Sequence, residues 1–255
     1  MKKGQRLWTR DELILALNLY YTTPFGRLHK GNPDIINLSK LINRTPSSVT
    51  YKLVNFASLD PTLIKRGIKG ASNASKLDKI VWDEFYGDWE KAIFESEKMR
   101  ANLEGISIKD IIEKKDFKLK KGIEKDVTVK QRVNQSFFRK MILASYNGTC
   151  CITGMKIREL LIAGHIKPWS VDSENRLNPR NGIAINSLHD KAFEVGLISI
   201  DTNFKIKIAK KLLASKDSKI EQYFKKYHDK EIILPSKFLP DEQFLAYHFN
   251  EKFRG

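Results

Sequence analysis

Three side chains between Cys150 and Ile200 have the types and spacing to do chemistry: His165, Asn181 and His189, sixteen and then eight residues apart. Hydrolysis of a phosphodiester needs a base that takes a proton from water. It also needs a cation that steadies the charge leaving with the sugar oxygen. Histidine serves either need, as a neutral imidazole base or as a metal ligand. An asparagine placed between two histidines can accept and donate backbone hydrogen bonds, and so hold a loop.

The elements that must position these groups follow from the local pattern. The apolar run LLIAGHIKPW reads as a strand ending at His165, GIAIN as a second strand, and SLHDKAFEV as a helix carrying His189. The long loop KPWSVDSENRLNPRN joins the strands and contains Asn181, with Trp169 expected to pack beneath it. Ahead lies a helix, VNQSFFRKMILASYNG, which offers Phe137, Met141, Ile142 and Tyr146 to a core and stops at Asn147-Gly148. Behind it GLISID and FKIKIAKKL alternate like a hairpin, and KIEQYFKKYHDK and the chain's end supply short helices. His29, His228 and His248 are expected to be surface or packing residues.

The first hundred residues read as helices. RLWTRDELILALNLYYT is capped by Thr9, carries acidic residues in its first turn, and aligns Leu13, Ile14, Leu17 and Tyr20 or Tyr21. DIINLSKLIN aligns Ile35, Leu38, Leu41 and Ile42. Thr45-Pro46 caps and begins TPSSVTYKLVNFASL, with Val49, Leu53 and Phe56 facing inward. The segment LDKIVWDEFYGDWEKAIFESEKMRANL is one long helix that Gly87 bends or breaks, with Ile80, Trp82, Phe85, Trp89 and Phe94 packed. Residues 101–130 are dense in charge and poor in large apolar side chains, which predicts a linker. The organisation is thus a helical domain over 1–100, the linker, and a second domain over 131–255.

Composition narrows the function class. The net charge is +16, yet residues 146–200 hold 6 Lys/Arg against 5 Asp/Glu while residues 1–95 hold 15 against 10. A nearly neutral catalytic stretch between basic flanks is the layout for delivering a site to a polyanion. No apolar run approaches the ~18 residues of a membrane span, and the N-terminus turns polar before a signal-like core forms, so a cytoplasmic protein is expected. Adjacent Cys150 and Cys151 suit a reducing compartment and buried packing rather than metal ligation.

Residues 132–200 resemble the HNH nuclease superfamily: YNGTCC, the Thr153-Gly154 pair, HIKPW, NPRNGIAI and LHDKAFEVGLISID stand in the expected order. The resemblance implies an α+β protein, with a helical N-terminal domain followed by a ββα-metal fold. It implies His165 as general base, Asn181 as the residue that pins the loop, and His189 as a ligand of a divalent ion, Mg²⁺ or Mn²⁺. The absence of paired C-x-x-C knuckles points to the branch without structural zinc. Many HNH proteins carry Asp or His directly before the base; here Gly164 stands there. Glu194 is the preferred substitute ligand and Asp190 its rival, since Ser187-x-x-Asp190 also reads as a capping box.

Lys167, Arg176, Arg180 and Arg158 are candidate phosphate contacts. The three N-terminal helices resemble a helix-turn-helix or Myb-type module of the kind found beside bacterial HNH nucleases. Ser47, Ser48, Tyr51, Lys52 and Asn55 form the outward, DNA-reading face of its third helix. Together these imply a metal-dependent endonuclease acting on double-stranded DNA in a restriction or defence role, with sensing of modified bases suggested by family analogy. A homodimer would let one-strand sites cut a duplex. The competing reading is a non-catalytic DNA-binding regulator with a decayed HNH fold, which Gly164 favours; RNA cleavage lacks any matching motif.

Overall fold

The computed structural model describes residues 6–68, 71, 74–106 and 126–255. The fold is α+β, and the chain divides into two compact units, Met1–Phe137 and Phe138–Gly255. Most of the segment expected to be a linker, 107–125, lies outside the described residues. Among the described residues no helix is long and apolar enough to cross a membrane.

In the first unit α1 (Arg10–Thr22) is the central element, buried on nearly every side and packed against four later helices. Thr9 and Glu12 close a reciprocal capping box at its start, which satisfies two backbone donors that the helix itself cannot. After α2 (Pro33–Leu41), α3 (Pro46–Leu59) begins at the expected Thr45 cap and Pro46, and Val49, Leu53 and Phe56 are fully buried. A short α4 (Pro61–Lys65) follows.

The expected single long helix is two, α5 (Lys76–Phe85) and α6 (Trp89–Glu104). Gly87 breaks it by adopting φ +103°, a left-handed value that costs glycine little, and Asp88 then caps α6. Tyr20, Tyr21, Phe56, Trp82, Tyr86 and Trp89 form one aromatic cluster, with Trp82 stacked on Tyr86 at 4.9 Å. These rings are core. Ile80 departs from expectation: it is exposed, because the buried stripe of α5 runs through Asp78, Val81, Trp82 and Phe85.

Two of the five expected DNA-reading positions on α3 face inward instead. Asp78 is fully buried, and Lys52 Nζ donates to both its oxygens at 2.8 and 2.9 Å, while Asn55 Nδ2 donates at 2.9 Å. A buried carboxylate is tolerated only when paired and hydrogen-bonded, so Lys52 and Asn55 are committed to tying α3 to α5. Ser47 and Tyr51 remain exposed and Ser48 half-buried.

The second unit is built on a small antiparallel pair, β1 (Leu161–His165) and β2 (Gly182–Asn186), in a register that sets His165 opposite Gly182 and Leu161 opposite Asn186. Helix α7 (Asp126–Ser145) contributes its C-terminal part to this unit and ends at Asn147 and Gly148, both with positive φ. Helix α8 (Ser187–Glu194) follows β2 directly. Then come β3 (Ile198–Ile200) and β4 (Ile206–Ile208), an antiparallel hairpin whose turn is tied by Asp201 Oδ1 accepting from the Asn203 and Lys205 amides. Short helices α9 (Lys210–Leu213) and α10 (Ser218–Tyr223) precede α11 (Glu242–Glu251).

Cys150 and Cys151 are buried free thiols. Trp169 does not pack beneath its loop; it is about half exposed. His248 is interior, stacked on Phe193 at 3.5 Å, with Nδ1 2.8 Å from the Ser199 hydroxyl and Nε2 3.1 Å from the Phe193 carbonyl.

Candidate active site

His165 closes the strand pair. Residues alternate across a strand, so His165 and its partner Gly182 share the face covered by α7, while Gly164 faces the other way. Gly182 is required there: a Cβ would meet Ile142 Cδ1 at 2.5 Å and Phe138 Cζ at 2.8 Å. With no side chain at 182, Phe138 comes close enough to stack flat on the His165 ring, centroids 4.3 Å apart and planes 3° from parallel.

The ring's second constraint is chemical. His165 Nε2 lies 2.8 Å from the Arg176 carbonyl oxygen, which can only accept. The neutral imidazole therefore carries its proton on Nε2 and keeps a lone pair on Nδ1. Burial lowers the His165 pKa, opposed in part by that carbonyl, which favours the neutral form a general base needs.

The loop that carries Arg176 is in turn held by Asn181. This side chain is fully buried; its Oδ1 accepts from the Lys167 amide at 2.8 Å, and its Nδ2 donates to the carbonyls of Lys167 at 3.0 Å and Asn175 at 3.3 Å. One amide thus clamps both ends of the loop, directly beside Arg176. The sequence reading missed the residues that finish the clamp. Asn175 donates to Asp172, Asn178 donates to Asn175, and Lys167 Nζ pairs with Asp172 at 3.0 Å. The run of Asp and Asn in VDSENRLNPRN was the available signal, since these residues hydrogen-bond local backbone.

Helix α8 differs from expectation. Its N-cap is Asn186, whose Oδ1 accepts from the His189 amide at 3.0 Å, so Ser187 and Asp190 form no capping box. His189 is buried, with Nδ1 on the Asn186 side chain and Nε2 2.8 Å from the Tyr223 carbonyl. That carbonyl takes the ring's one proton and the Asn186 amide takes its lone pair. His189, expected as a metal ligand, has both ring nitrogens hydrogen-bonded in this structure, where the ring links α8 to α10 and packs against Phe224 and Tyr227. Burial, against the Tyr223 carbonyl and with Lys226 nearby, lowers its pKa.

The two candidate carboxylates sit in different surroundings. Glu194 is exposed at the end of α8 and pairs with Lys191 at 2.8 Å. Asp190 is half-buried and makes no hydrogen bond or ion pair with any described residue. A Cβ built on Gly164 would lie 2.7 Å from Asp190 Oδ1. The carboxylate therefore occupies the space that a side chain at 164 would enter, one residue from the base. Burial, then the charge of Glu194, raises its pKa, with Lys191 opposing.

Among the described residues no three His, Cys, Asp or Glu side chains gather as a ready metal cage. Of the two candidate carboxylates, Asp190 is the one without an ion pair among the described residues and so the one that could hold a hard cation of the magnesium type, which is commonly held by one or two carboxylates and otherwise by water and phosphate oxygens. Of the expected phosphate contacts, Arg180 pairs with Asp241 at 2.9 Å, Lys167 with Asp172, Arg158 is exposed, and Arg176 is half-buried.

Two strands and a helix carrying histidine, asparagine and histidine at these positions make a ββα nuclease scaffold. The HNH endonuclease family model matches residues 150–201, so this segment is similar to HNH endonuclease domains. No curated protein matches the chain.

Proposed function

We propose that the second unit hydrolyses phosphodiester bonds in double-stranded DNA. The observation that carries this reading is the state of His165: one ring nitrogen is fixed by a loop that Asn181 locks, and the other has no hydrogen-bond partner among the described residues. His165 Nδ1 accepts a proton from water as the water oxygen attacks phosphorus. The bond from phosphorus to the sugar oxygen breaks, and that oxygen takes a proton from solvent. Asn181 acts through the loop and is a positioning residue. Asp190 is the chain's own ligand for Mg²⁺ or Mn²⁺. When bound, such an ion supplies positive charge for the leaving oxygen.

Lys167, Arg176 and Arg180 ring the loop and contribute phosphate contacts. The first unit reads DNA through Ser47, Ser48 and Tyr51, and the pairing of such a unit with a nuclease domain suits a restriction or defence enzyme. Cutting both strands calls for a dimer or two successive nicks. The test is plasmid cleavage with Mg²⁺ or Mn²⁺, in which His165→Ala lowers the rate by about 10²–10⁴. Equal cleavage by the variant refutes the assignment.

One observation favours a second reading, a DNA-binding regulator that does not cut: His189 has no free nitrogen and Glu194 points to solvent. Calorimetric titration with Mn²⁺ separates the two. Binding that depends on Asp190 supports the enzyme, and no binding with or without DNA supports the regulator.

A further inference from the structure

The first unit contains a cavity of about 1020 Å³, lined by Arg6, Trp8, Arg44, Ser48, Lys52 and Lys76 among others. That volume is at the upper end for a small-molecule site and exceeds what a single water cluster would need. Its charge is unbalanced. Glu12 neutralises one charge of the Arg6–Arg44 pair, at 2.5 and 2.7 Å, and Asp78 neutralises Lys52 at 2.8 Å. Lys76 has no ion-pair partner among the described residues, so four cations face two acids. Burial alone would raise the Glu12 carboxyl, but Arg44, the Thr9 amide and Arg6 bring it below the usual range, so it stays ionised and locked to the arginines.

The walls are not merely basic. Arg44 lies over the Trp8 ring at 4.2 Å and Lys52 at 5.7 Å, and Leu7 and Leu77 add apolar surface. Thr45 and Ser75, which cap α3 and α5, both line the space, so two helix N-termini border it; α3 has no acidic residue in its first turn. Flat apolar and aromatic surface joined to excess positive charge matches a ring that carries a phosphate. We propose that this cavity binds a nucleotide, with the base against the Trp8 wall and the phosphate toward Lys76. The proposal deepens the reading role given above to the first unit, moving it from the outer face of α3 to a concave site.

The experiment titrates the full chain at low salt with three probes: 5′-dAMP, inorganic phosphate and a short single-stranded deoxyoligonucleotide. Saturable dAMP binding is expected, weakened about tenfold by Trp8→Leu but retained in Trp8→Phe, since stacking tolerates any aromatic ring. Lys76→Glu, at an exposed and unpaired position, is expected to weaken it several-fold and to flatten the salt dependence. Parallel losses for the oligonucleotide identify a nucleotide within a strand; binding of dAMP alone identifies a free nucleotide. Phosphate binding as tight as dAMP, or affinities unchanged in correctly folded Trp8→Leu and Lys76→Glu, overturns the proposal. Oligonucleotide affinity lost in Tyr51→Ala but kept in Lys76→Glu also overturns it, while leaving DNA reading by α3 intact.

Discussion

The two ends of the HNH motif are held by the same kind of bond with opposite consequences. At the strand end, a carbonyl takes the proton of His165 Nε2, a phenyl ring supports one face, and Nδ1 is left with nothing to do. At the helix end, a carbonyl takes the proton of His189 Nε2, but the Asn186 side chain also takes Nδ1. The difference is one hydrogen bond. It separates a ring with a nitrogen left to accept a proton from one with both nitrogens engaged, and in the proposed reaction the cation falls to Asp190, the neighbour of His189.

The sharpest break of this comparison is a pair of alanine substitutions. His165→Ala should abolish all but about 10⁻²–10⁻⁴ of the cleavage rate and change thermal stability little, since the ring is partly exposed. His189→Ala should do the reverse to first order. Loss of a buried ring with two hydrogen bonds costs about 2–4 kcal/mol, read as a lowered urea midpoint, while Mn²⁺ affinity persists under folding conditions. A His189 variant that folds with full stability but binds no metal restores the original ligand assignment.

Asp190→Asn is the next largest effect. Removing an unpaired, half-buried charge should leave stability equal or raise it, because the folded state no longer shields an ion from water. Divalent-ion binding should fall by at least tenfold in calorimetry, and cleavage with it. Loss of stability without loss of ion binding would show the carboxylate to be structural.

Much of this was legible in the sequence, and the failures share a cause. The boundaries of β1, β2 and α8 and the role of Asn181 follow from local pattern, because period and loop chemistry are local properties. Phe138, Gly182 and the Tyr223 carbonyl were not legible, because each acts on a histidine from a distant part of the chain. Lys52 and Asn55 failed likewise: helical phase placed them outward, and only Asp78, contributed by α5, shows why α3 turns them in. The capping box failed for a nearer reason. Asn186 is as good a cap as Ser187 and stands one residue earlier.

Acid should act on the second unit through a histidine outside the motif. Burial pushes the His248 pKa down to about 4, with the Phe193 carbonyl opposing and Lys252 adding. The unfolded chain, with an ordinary value near 6.5, binds the proton first. The contribution is therefore complete above about pH 6.5 and is lost as pH falls toward 4, a change of about 3 kcal/mol. His248→Gln, followed by urea denaturation at pH 7 and pH 5, should flatten that slope while leaving the pH dependence of cleavage to His165. Burial lowers the His165 pKa, so cleavage should rise with pH through a midpoint below that of a free histidine.

The smallest effect is the one that most finely divides the two carboxylates of α8. Glu194 is two-thirds exposed and paired with Lys191, itself equally exposed, three residues back. Surface pairs of this kind contribute little to stability, so Glu194→Gln should shift the urea midpoint negligibly. Its charge lies near Asp190 and raises that group's pKa, so the substitution removes a repulsion felt by the Asp190 anion. It also removes a remote attraction for any cation there. The two changes oppose each other, and Mn²⁺ affinity should stay within about twofold of the parent, well under a 1.4 kcal/mol tenfold step. A tenfold loss in Glu194→Gln would mean that the helix end rotates inward when the ion binds, returning Glu194 to the ligand set and making the exposed pair with Lys191 a resting state.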